Sequence, residues 1–254
     1  MLSLNLFRGR VAATVVAAVA AVGTIAGCGS STAPQSSNVK LTVLGAASLS
    51  NVFPMIANEK YSFAGSGTLE TDIQQGEYAD VFAAASPKQT TELYKAGLAT
   101  KPVEFATNTL VLIVPKDNPA HITSIYDLTK KGVKIVVCEA SQPCGDYAST
   151  AFANLNITTA ADKNIVSYQS DVSQVVTEIA NGEGDAGLVY ITDAKTAGNA
   201  VTVITLPAAA LPVHEDTISV IKASKHEAAA EAFVQMLLAP KAQAILKTAG
   251  FGKP

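Results

Sequence analysis

The chain has 254 residues and a formal net charge of −3, and it contains no tryptophan. Its two arginines, Arg8 and Arg10, lie near the N-terminus, and every later basic residue is a lysine. Nucleic-acid binding depends on clustered basic side chains, so this composition makes the chain a poor candidate for that class of function. Guanidinium groups, which usually clamp phosphates and carboxylates, are missing after residue 10. A bound anion must therefore be held by neutral donors or by lysine.

The N-terminal segment has the layout of a secretory signal. The two arginines precede an uncharged apolar run over residues 11–25, and small residues then lead to Cys28. This run is shorter than the roughly 20 apolar residues of a membrane-spanning helix, which disfavours the alternative of a transmembrane anchor. The ending Ile25-Ala26-Gly27-Cys28 resembles the lipobox of bacterial lipoproteins. The resemblance implies that residues 1–27 are a signal peptide and that Cys28 carries lipid. Residues 28–38 are Ser-rich and are predicted to form a tether.

After residue 38 the sequence alternates between β-rich runs and helical patterns. Strands are predicted at residues 39–44, 81–84, 110–114, 133–138, 188–190, 201–206 and 217–221. Helices are predicted at residues 51–58, 68–76, 87–96, 124–130, 147–155, 172–180 and 228–238. Alternation at this spacing predicts an α/β architecture with parallel sheets.

Two long extended segments, residues 105–114 and 213–222, divide the chain into two lobes. We predict that residues 39–112 and 215–254 form lobe 1 and that residues 113–214 form lobe 2. Two lobes joined by two hinge segments are the architecture of periplasmic-type solute receptors (type II), in which a ligand cleft closes between the lobes.

The cysteines and histidines indicate a disulfide and no metal cation. With Cys28 assigned to lipid, Cys138 and Cys144 remain, and an oxidising compartment favours pairing them. A metal site is the alternative, but two thiolates without a nearby His or a second Cys pair are too few ligands. The three histidines lie far apart, without metal spacing, and are expected to be surface or structural residues: His121, His214 and His226.

Small or polar residues occupy four loops that lead into predicted helices, namely residues 45–50, 63–69, 143–145 and 170–172. A helix N-terminus exposes backbone N–H groups and a partial positive charge, so each loop is a candidate anion seat. In open α/β sheets such loops gather beyond the carboxyl ends of the strands. Each loop also has a structural explanation, because Ser48, Ser66 and Asp171 are good helix N-caps. For Asp171 we favour the cap over a ligand role.

Five segments follow one another along the chain: Ala46-Ala47-Ser48-Leu49, Phe63-Ala64-Gly65-Ser66-Gly67-Thr68-Leu69, Ala79-Asp80-Val81-Phe82, Pro143-Cys144-Gly145-Asp146-Tyr147-Ala148 and Gly187-Leu188-Val189-Tyr190. In this order and spacing they resemble the signatures of molybdate-binding proteins, the substrate receptors of ABC-type molybdate and tungstate importers. The resemblance extends from about residue 39 to the C-terminus. No single motif is specific, so the resemblance depends on all five in order behind the lipobox.

The resemblance implies a tetrahedral oxyanion held by hydroxyls and backbone amides alone. It implies donation from the side chains and backbone of Ser48 and Ser66, from the amides of Cys144 and Val172, and from the hydroxyl of Tyr190. The family often has Ala at the position of Cys144, a difference that a backbone contact tolerates. A shell of donors alone disfavours hydrogen phosphate, whose proton needs an acceptor. It discriminates against sulfate by size and scarcely separates molybdate from tungstate.

We therefore expect a monomeric, lipid-anchored receptor on the extracytoplasmic face of the cell membrane. It would bind molybdate or tungstate and deliver the anion to an ABC permease and its ATPase, without a cofactor, enzymatic chemistry or nucleic acid. Two alternatives stay open. One is a receptor for another small oxyanion such as sulfate or phosphate. The other is a secreted hydrolase with Ser48 or Ser66 as nucleophile, which the absence of a Gly-x-Ser-x-Gly elbow and of a suitably placed His disfavours.

Overall fold

Two five-stranded sheets form the body of the protein. The computed structural model describes residues 39–210 and 214–254, so the predicted signal peptide, Cys28 and the tether lie outside the described residues. In this part of the chain the strands are β1 (Thr42–Ala46), β2 (Lys60–Ala64), β3 (Val81–Ala84), β4 (Val103–Thr107), β5 (Leu110–Pro115), β6 (Ile135–Cys138), β7 (Ile165–Gln169), β8 (Ala186–Tyr190), β9 (Val201–Ile204) and β10 (Glu215–Val220).

The first sheet has the strand order β2-β1-β3-β10-β4 and the second has the order β7-β6-β8-β5-β9. Strand β1 is parallel to its neighbours β2 and β3, and β6 is parallel to β7 and β8. Strands β10 and β5, in contrast, are antiparallel to both of their neighbours. The α/β prediction is confirmed, but the prediction of parallel sheets is wrong because both sheets are mixed. Strands β5 and β10 enter from the other sheet, so no helical crossover within their own sheet makes them parallel.

Helices cover the sheets, and the described residues include α1 (Phe53–Ile56), α2 (Ser66–Gln74), α3 (Pro87–Lys95), α4 (Pro143–Asn154), α5 (Thr158–Ala161), α6 (Val172–Ala180), α7 (Ile191–Ala197), α8 (Glu227–Leu238) and α9 (Pro240–Ala249). Helix α6 shows why they pack where they do. Its buried residues Val172, Val175 and Ile179 lie on one face at helical spacing, and this face contacts β6 and β8. Among the helices of the described residues, none is long and apolar enough to span a bilayer.

The sequence predicted the buried elements best. The structure has Val81–Ala84 and Val172–Ala180 with the predicted bounds, whereas the predicted helix at 124–130 is a 3₁₀ helix, Ile125–Thr129. Strands β2 and β7 were not predicted, and both are edge strands with only partial burial. A half-exposed edge strand carries a weaker hydrophobic pattern than a central strand. Helix α7 and, beyond the predicted last helix, α9 were not predicted either.

Strand β5 lies wholly in the second sheet, where it pairs with β8 and β9. All six of its residues are buried, as expected for the continuous apolar run of a strand covered on both faces. The predicted lobe boundary between residues 112 and 113 falls inside this strand. We therefore propose that the first lobe boundary lies at residues 108–109, between β4 and β5, and that the chain returns to lobe 1 at β10.

Candidate functional site

One small cavity lies where the carboxyl ends of strands from both sheets meet. Strand β1 leads into the 3₁₀ turn Ala47–Leu49, β2 leads towards α2, β6 towards α4 and β7 towards α6. Its volume is about 10 Å³, the room that about one water-sized sphere requires. All five residues that the resemblance implied as ligands line this cavity: Ser48, Ser66, Cys144, Val172 and Tyr190.

The first sheet contributes two hydroxyl groups. Ser48 lies in the 3₁₀ turn after β1, and its Oγ is buried without a hydrogen-bond partner among the described residues. Ser66 is the first residue of α2, and its Oγ accepts a hydrogen bond from the amide of Ala85 at 3.1 Å. A serine hydroxyl that accepts one bond still has its own proton to donate. Both hydroxyls are therefore available as donors to a solute in the cavity.

The second sheet contributes two helix N-termini. Cys144 is the second residue of α4, and Val172 is the first residue of α6. The first N–H groups of a helix have no acceptor within the helix. At α6 the carboxylate of Asp171 accepts from the amides of Ser173 and Gln174, at 2.8 and 3.2 Å. That cap uses the second and third amides of α6 and leaves the amide of Val172 free for a ligand.

The lining of the cavity is almost uncharged. Asp171 is the one charged side chain among the lining residues, and its carboxylate faces backbone amides and the side chain of Gln174. The prediction that Asp171 is a helix cap is confirmed. The positive potential in the cavity comes from the N-termini of α2, α4 and α6, each of which favours an anion. The site thus offers an anion neutral hydrogen-bond donors, in place of the arginine or lysine side chains that commonly hold anions.

Tyr190 ends β8 and is only 1% exposed. Its hydroxyl has no hydrogen-bond partner within the described part of the chain. Burial raises the pKa of Tyr190 well above its usual value, so the phenol stays neutral and keeps its proton. An unpaired buried hydroxyl is costly, and a solute that accepts from it would remove that cost.

A buried cluster that the sequence analysis did not find lies behind Tyr190. The His214 ring stacks on the Tyr190 ring at 4.5 Å between centroids and contacts the Tyr147 ring edge-on at 4.6 Å. His214 Nε2 lies 3.4 Å from Oδ1 of the buried Asp216. Burial raises the pKa of Tyr147 to about 12. His214 is thus a buried residue that packs against a proposed ligand residue. No sequence pattern could have predicted this contact, because the two residues are far apart in the chain.

Cys138 and Cys144 are bonded to each other in the structure. The bond joins the last residue of β6 to the second residue of α4, so it closes the loop that presents the Cys144 amide. Among the described residues no group of three or more His, Cys, Asp and Glu side chains is arranged to hold a metal ion.

The geometry gives the hydrolase alternative no catalytic pair. Ser48 Oγ is unpaired, and Ser66 Oγ is bonded to a backbone amide rather than to a base. His214 stacks behind Tyr190, and His226 Nδ1 lies 3.3 Å from Asp80. A serine nucleophile requires a base within hydrogen-bond reach, and neither serine has one among the described residues.

Two mixed sheets covered by helices form the two lobes, and a cavity lined by hydrogen-bond donors lies where their strand ends meet. This is the architecture of the two-lobed solute-binding proteins. Residues 41–252 match the family described as bacterial extracellular solute-binding protein. The chain belongs to this family, and its close relatives are substrate-binding proteins of transporters, not enzymes.

Individual relatives agree with this assignment. The chain is 37% identical to the molybdate-binding protein ModA of Mycobacterium tuberculosis H37Rv, and the match covers 99% of both chains. The periplasmic molybdate-binding protein of Azotobacter vinelandii has the same fold, with a TM-score of 0.75, 22% identity, and coverage of 85% of this chain and all of that one. The sulfate-binding protein SubI of M. tuberculosis H37Rv aligns with a TM-score of 0.71 at 20% identity, over 84% of this chain and 86% of its own.

Proposed function

We propose that this protein binds molybdate and tungstate and delivers the anion to an ABC importer. The observation that supports this most strongly is that one cavity is lined by all five implied ligand residues and by no lysine. The full-length similarity to ModA of M. tuberculosis supports the same ligand. The proposed ligands are the hydroxyls of Ser48, Ser66 and Tyr190 and the amides of Cys144 and Val172.

The donor set accounts for the choice of anion. Molybdate and tungstate are fully deprotonated dianions that accept at every oxygen. Hydrogen phosphate carries a proton that needs an acceptor, and burying it unpaired costs about 1–3 kcal/mol. The nearest carboxylate, Asp171, is already bonded to the amides of Ser173 and Gln174. Sulfate is also fully deprotonated, so the site can discriminate against it only by size, because the smaller ion fits the donors less well.

A thermal-shift series with molybdate, tungstate, sulfate and phosphate tests the proposed ligand. A ligand at about 100 times its Kd adds about 2.7 kcal/mol to the free energy of unfolding. We expect equal stabilisation by molybdate and tungstate and little by the other two anions. Stabilisation by sulfate or phosphate without any by molybdate would assign the protein to a different oxyanion.

We also propose that the protein works as a lipid-anchored monomer on the extracytoplasmic face of the membrane, with a permease and its ATPase as partners. The basis is the N-terminal sequence, in which an apolar run over residues 11–25 is followed by small residues and Cys28. Expression with a radiolabelled fatty acid tests the anchor. We expect label on the wild-type protein and none on Cys28→Ser, which should remain uncleaved. Equal labelling of both proteins would exclude Cys28 as the attachment site.

A further inference from the structure

The side chain of Gln142 connects the two halves of the protein beside the cavity. Gln142 precedes α4, which packs on the second sheet, and it is only 2% exposed. Its Oε1 accepts from the amide of Gly67 at 2.9 Å, and its Nε2 donates to Oγ1 of Thr68 at 3.0 Å. Both partners belong to α2, which packs on the first sheet. One amide side chain therefore makes two hydrogen bonds from one half to the other.

Helix α2 obtains its N-terminal cap from Gln142. The residue before α2 is Gly65, which has no side chain to cap the helix. A capping oxygen normally accepts from the second or third amide of the helix. Gly67 is the second residue of α2, so Gln142 Oε1 occupies the place of a capping oxygen. Gln142 is itself the residue before α4, yet its side chain does not cap that helix.

We propose that Gln142 is a positioning residue for anion binding, acting as a cap that α2 receives only when the two halves are together. The proposal rests on the proposed function. Ser66 begins α2 and Cys144 is the second residue of α4, so the anion and Gln142 connect the same two helix starts. Once either connection is made, the second forms without the full entropic cost of bringing the halves together. Loss of Gln142 should therefore mainly speed anion release.

Gly67 in α2 and Gly65 just before it allow the two halves of the protein to approach each other closely. A Cβ on Gly67 would collide with the backbone oxygen of Ser141, and a Cβ on Gly65 would collide with Gln142 Oε1 and the backbone oxygen of Ser170. Alanine is otherwise favourable in a helix. Gly67→Ala should therefore leave each half folded and lose most of the anion affinity, because the halves no longer reach each other.

Replacement of Gln142 by methionine tests the proposal, because methionine has a similar length and makes neither hydrogen bond. We expect the Kd for molybdate to rise about tenfold, the combined worth of two neutral hydrogen bonds. Most of the change should lie in the dissociation rate, and the melting temperature without anion should stay within a degree or two of wild type. Thr71→Ala is the matched control. Among the described residues the Thr71 hydroxyl bonds only to Gly67 O, within α2, so its removal should not affect binding.

A double-mutant cycle with Thr68→Val separates this role from general packing. If the bond between Gln142 Nε2 and Thr68 Oγ1 operates in the bound state, Thr68→Val should weaken binding in the wild-type background. It should have little effect in the Gln142→Met background. Strictly additive effects of the two substitutions would show that the residues act independently and would overturn the proposal.

Hydrogen exchange of the Gly67 amide tests the role of Gln142 independently of which ligand the protein binds. Exchange is measured with and without molybdate, and we expect it to be at least about tenfold faster in Gln142→Met wherever the wild-type halves are together. Equal exchange rates in both proteins under both conditions would overturn the proposal. If wild type does not bind molybdate while Gly67 protection still depends on Gln142, the ligand assignment fails and the role of Gln142 stands.

Discussion

The two halves of the candidate site offer different kinds of donor. The first sheet presents the side-chain hydroxyls of Ser48 and Ser66, whereas the second presents the backbone amides of Cys144 and Val172 and one hydroxyl, that of Tyr190. A hydroxyl donor is lost when its side chain is replaced. An amide donor survives any substitution that keeps the helix start in place. Substitution at the hydroxyl positions should therefore weaken binding strongly, whereas side-chain identity at the two amide positions should matter little.

The two serine hydroxyls of the first sheet should show the largest effects. A hydrogen bond to a charged group contributes about 1.5–3 kcal/mol, so Ser48→Ala and Ser66→Ala should each weaken molybdate binding about 10- to 100-fold. Calorimetric titration measures both. The double variant should bind too weakly to detect while unfolding at a temperature close to that of wild type. Near wild-type affinity in the double variant would remove these hydroxyls from the site.

Tyr190→Phe should separate affinity from stability. The Tyr190 hydroxyl is buried and unpaired, so its removal should raise the free energy of unfolding of the anion-free protein by about 1 kcal/mol. The same change should weaken molybdate binding about tenfold or more, because a donor to the dianion is lost. Thermal unfolding with and without molybdate measures both effects. A variant that loses stability without anion would show that the hydroxyl has a structural partner.

Loss of the disulfide should weaken molybdate binding less than loss of a serine hydroxyl. Cys144→Ala combined with Cys138→Ala keeps the amide at residue 144 but opens the loop that the bond closes. For so short a loop the chain-entropy model gives about 2 kcal/mol of lost stability. We expect the melting temperature to fall while molybdate affinity changes only a few-fold. A loss as large as that of Ser66→Ala would mean that the bridge itself is needed to position the amide.

The smallest effect should come from Asp193, which lies behind Tyr190 and accepts from its amide at 3.2 Å. Burial raises the pKa of this carboxyl to about 7. Its protonated form is therefore favoured in the folded state, and its contribution to stability is full below about pH 4 and lost as the pH rises through 7. Asp193→Asn should flatten this part of the stability curve. Between pH 6 and 8 the wild type should bind the dianion slightly more weakly as the carboxylate forms, and the variant should not.

The sequence was sufficient for the parts of the site that local chemistry determines. Ser48, Ser66, Cys144 and Val172 lie in loops that lead into predicted helices, so these four loops could be predicted as candidate anion seats. The ligand role of each residue came from the resemblance, and so did the choice of Tyr190, which looks like an ordinary core tyrosine. Single-residue patterns cannot distinguish an unpaired buried hydroxyl from a satisfied one.

The contacts that were missed all join residues distant in sequence. The bonds from Gln142 to Gly67 and Thr68, and the stacking of His214 on Tyr190, exist only because the two sheets face each other at this edge. The antiparallel direction of strands β5 and β10 was missed for the same reason, although both strands were predicted. Their direction depends on how the chain crosses between sheets, which hydrophobic periodicity does not encode.

The central claim is that uncharged donors from both halves hold a dianion. A crystal structure of the protein with molybdate, in which anomalous scattering locates the metal, tests it most directly. We predict one molybdenum peak in the cavity, with oxygens within hydrogen-bond distance of the hydroxyls of Ser48, Ser66 and Tyr190 and the amides of Cys144 and Val172. A molybdate ion neutralised by lysine ammonium groups, or bound outside this cavity, would contradict the claim.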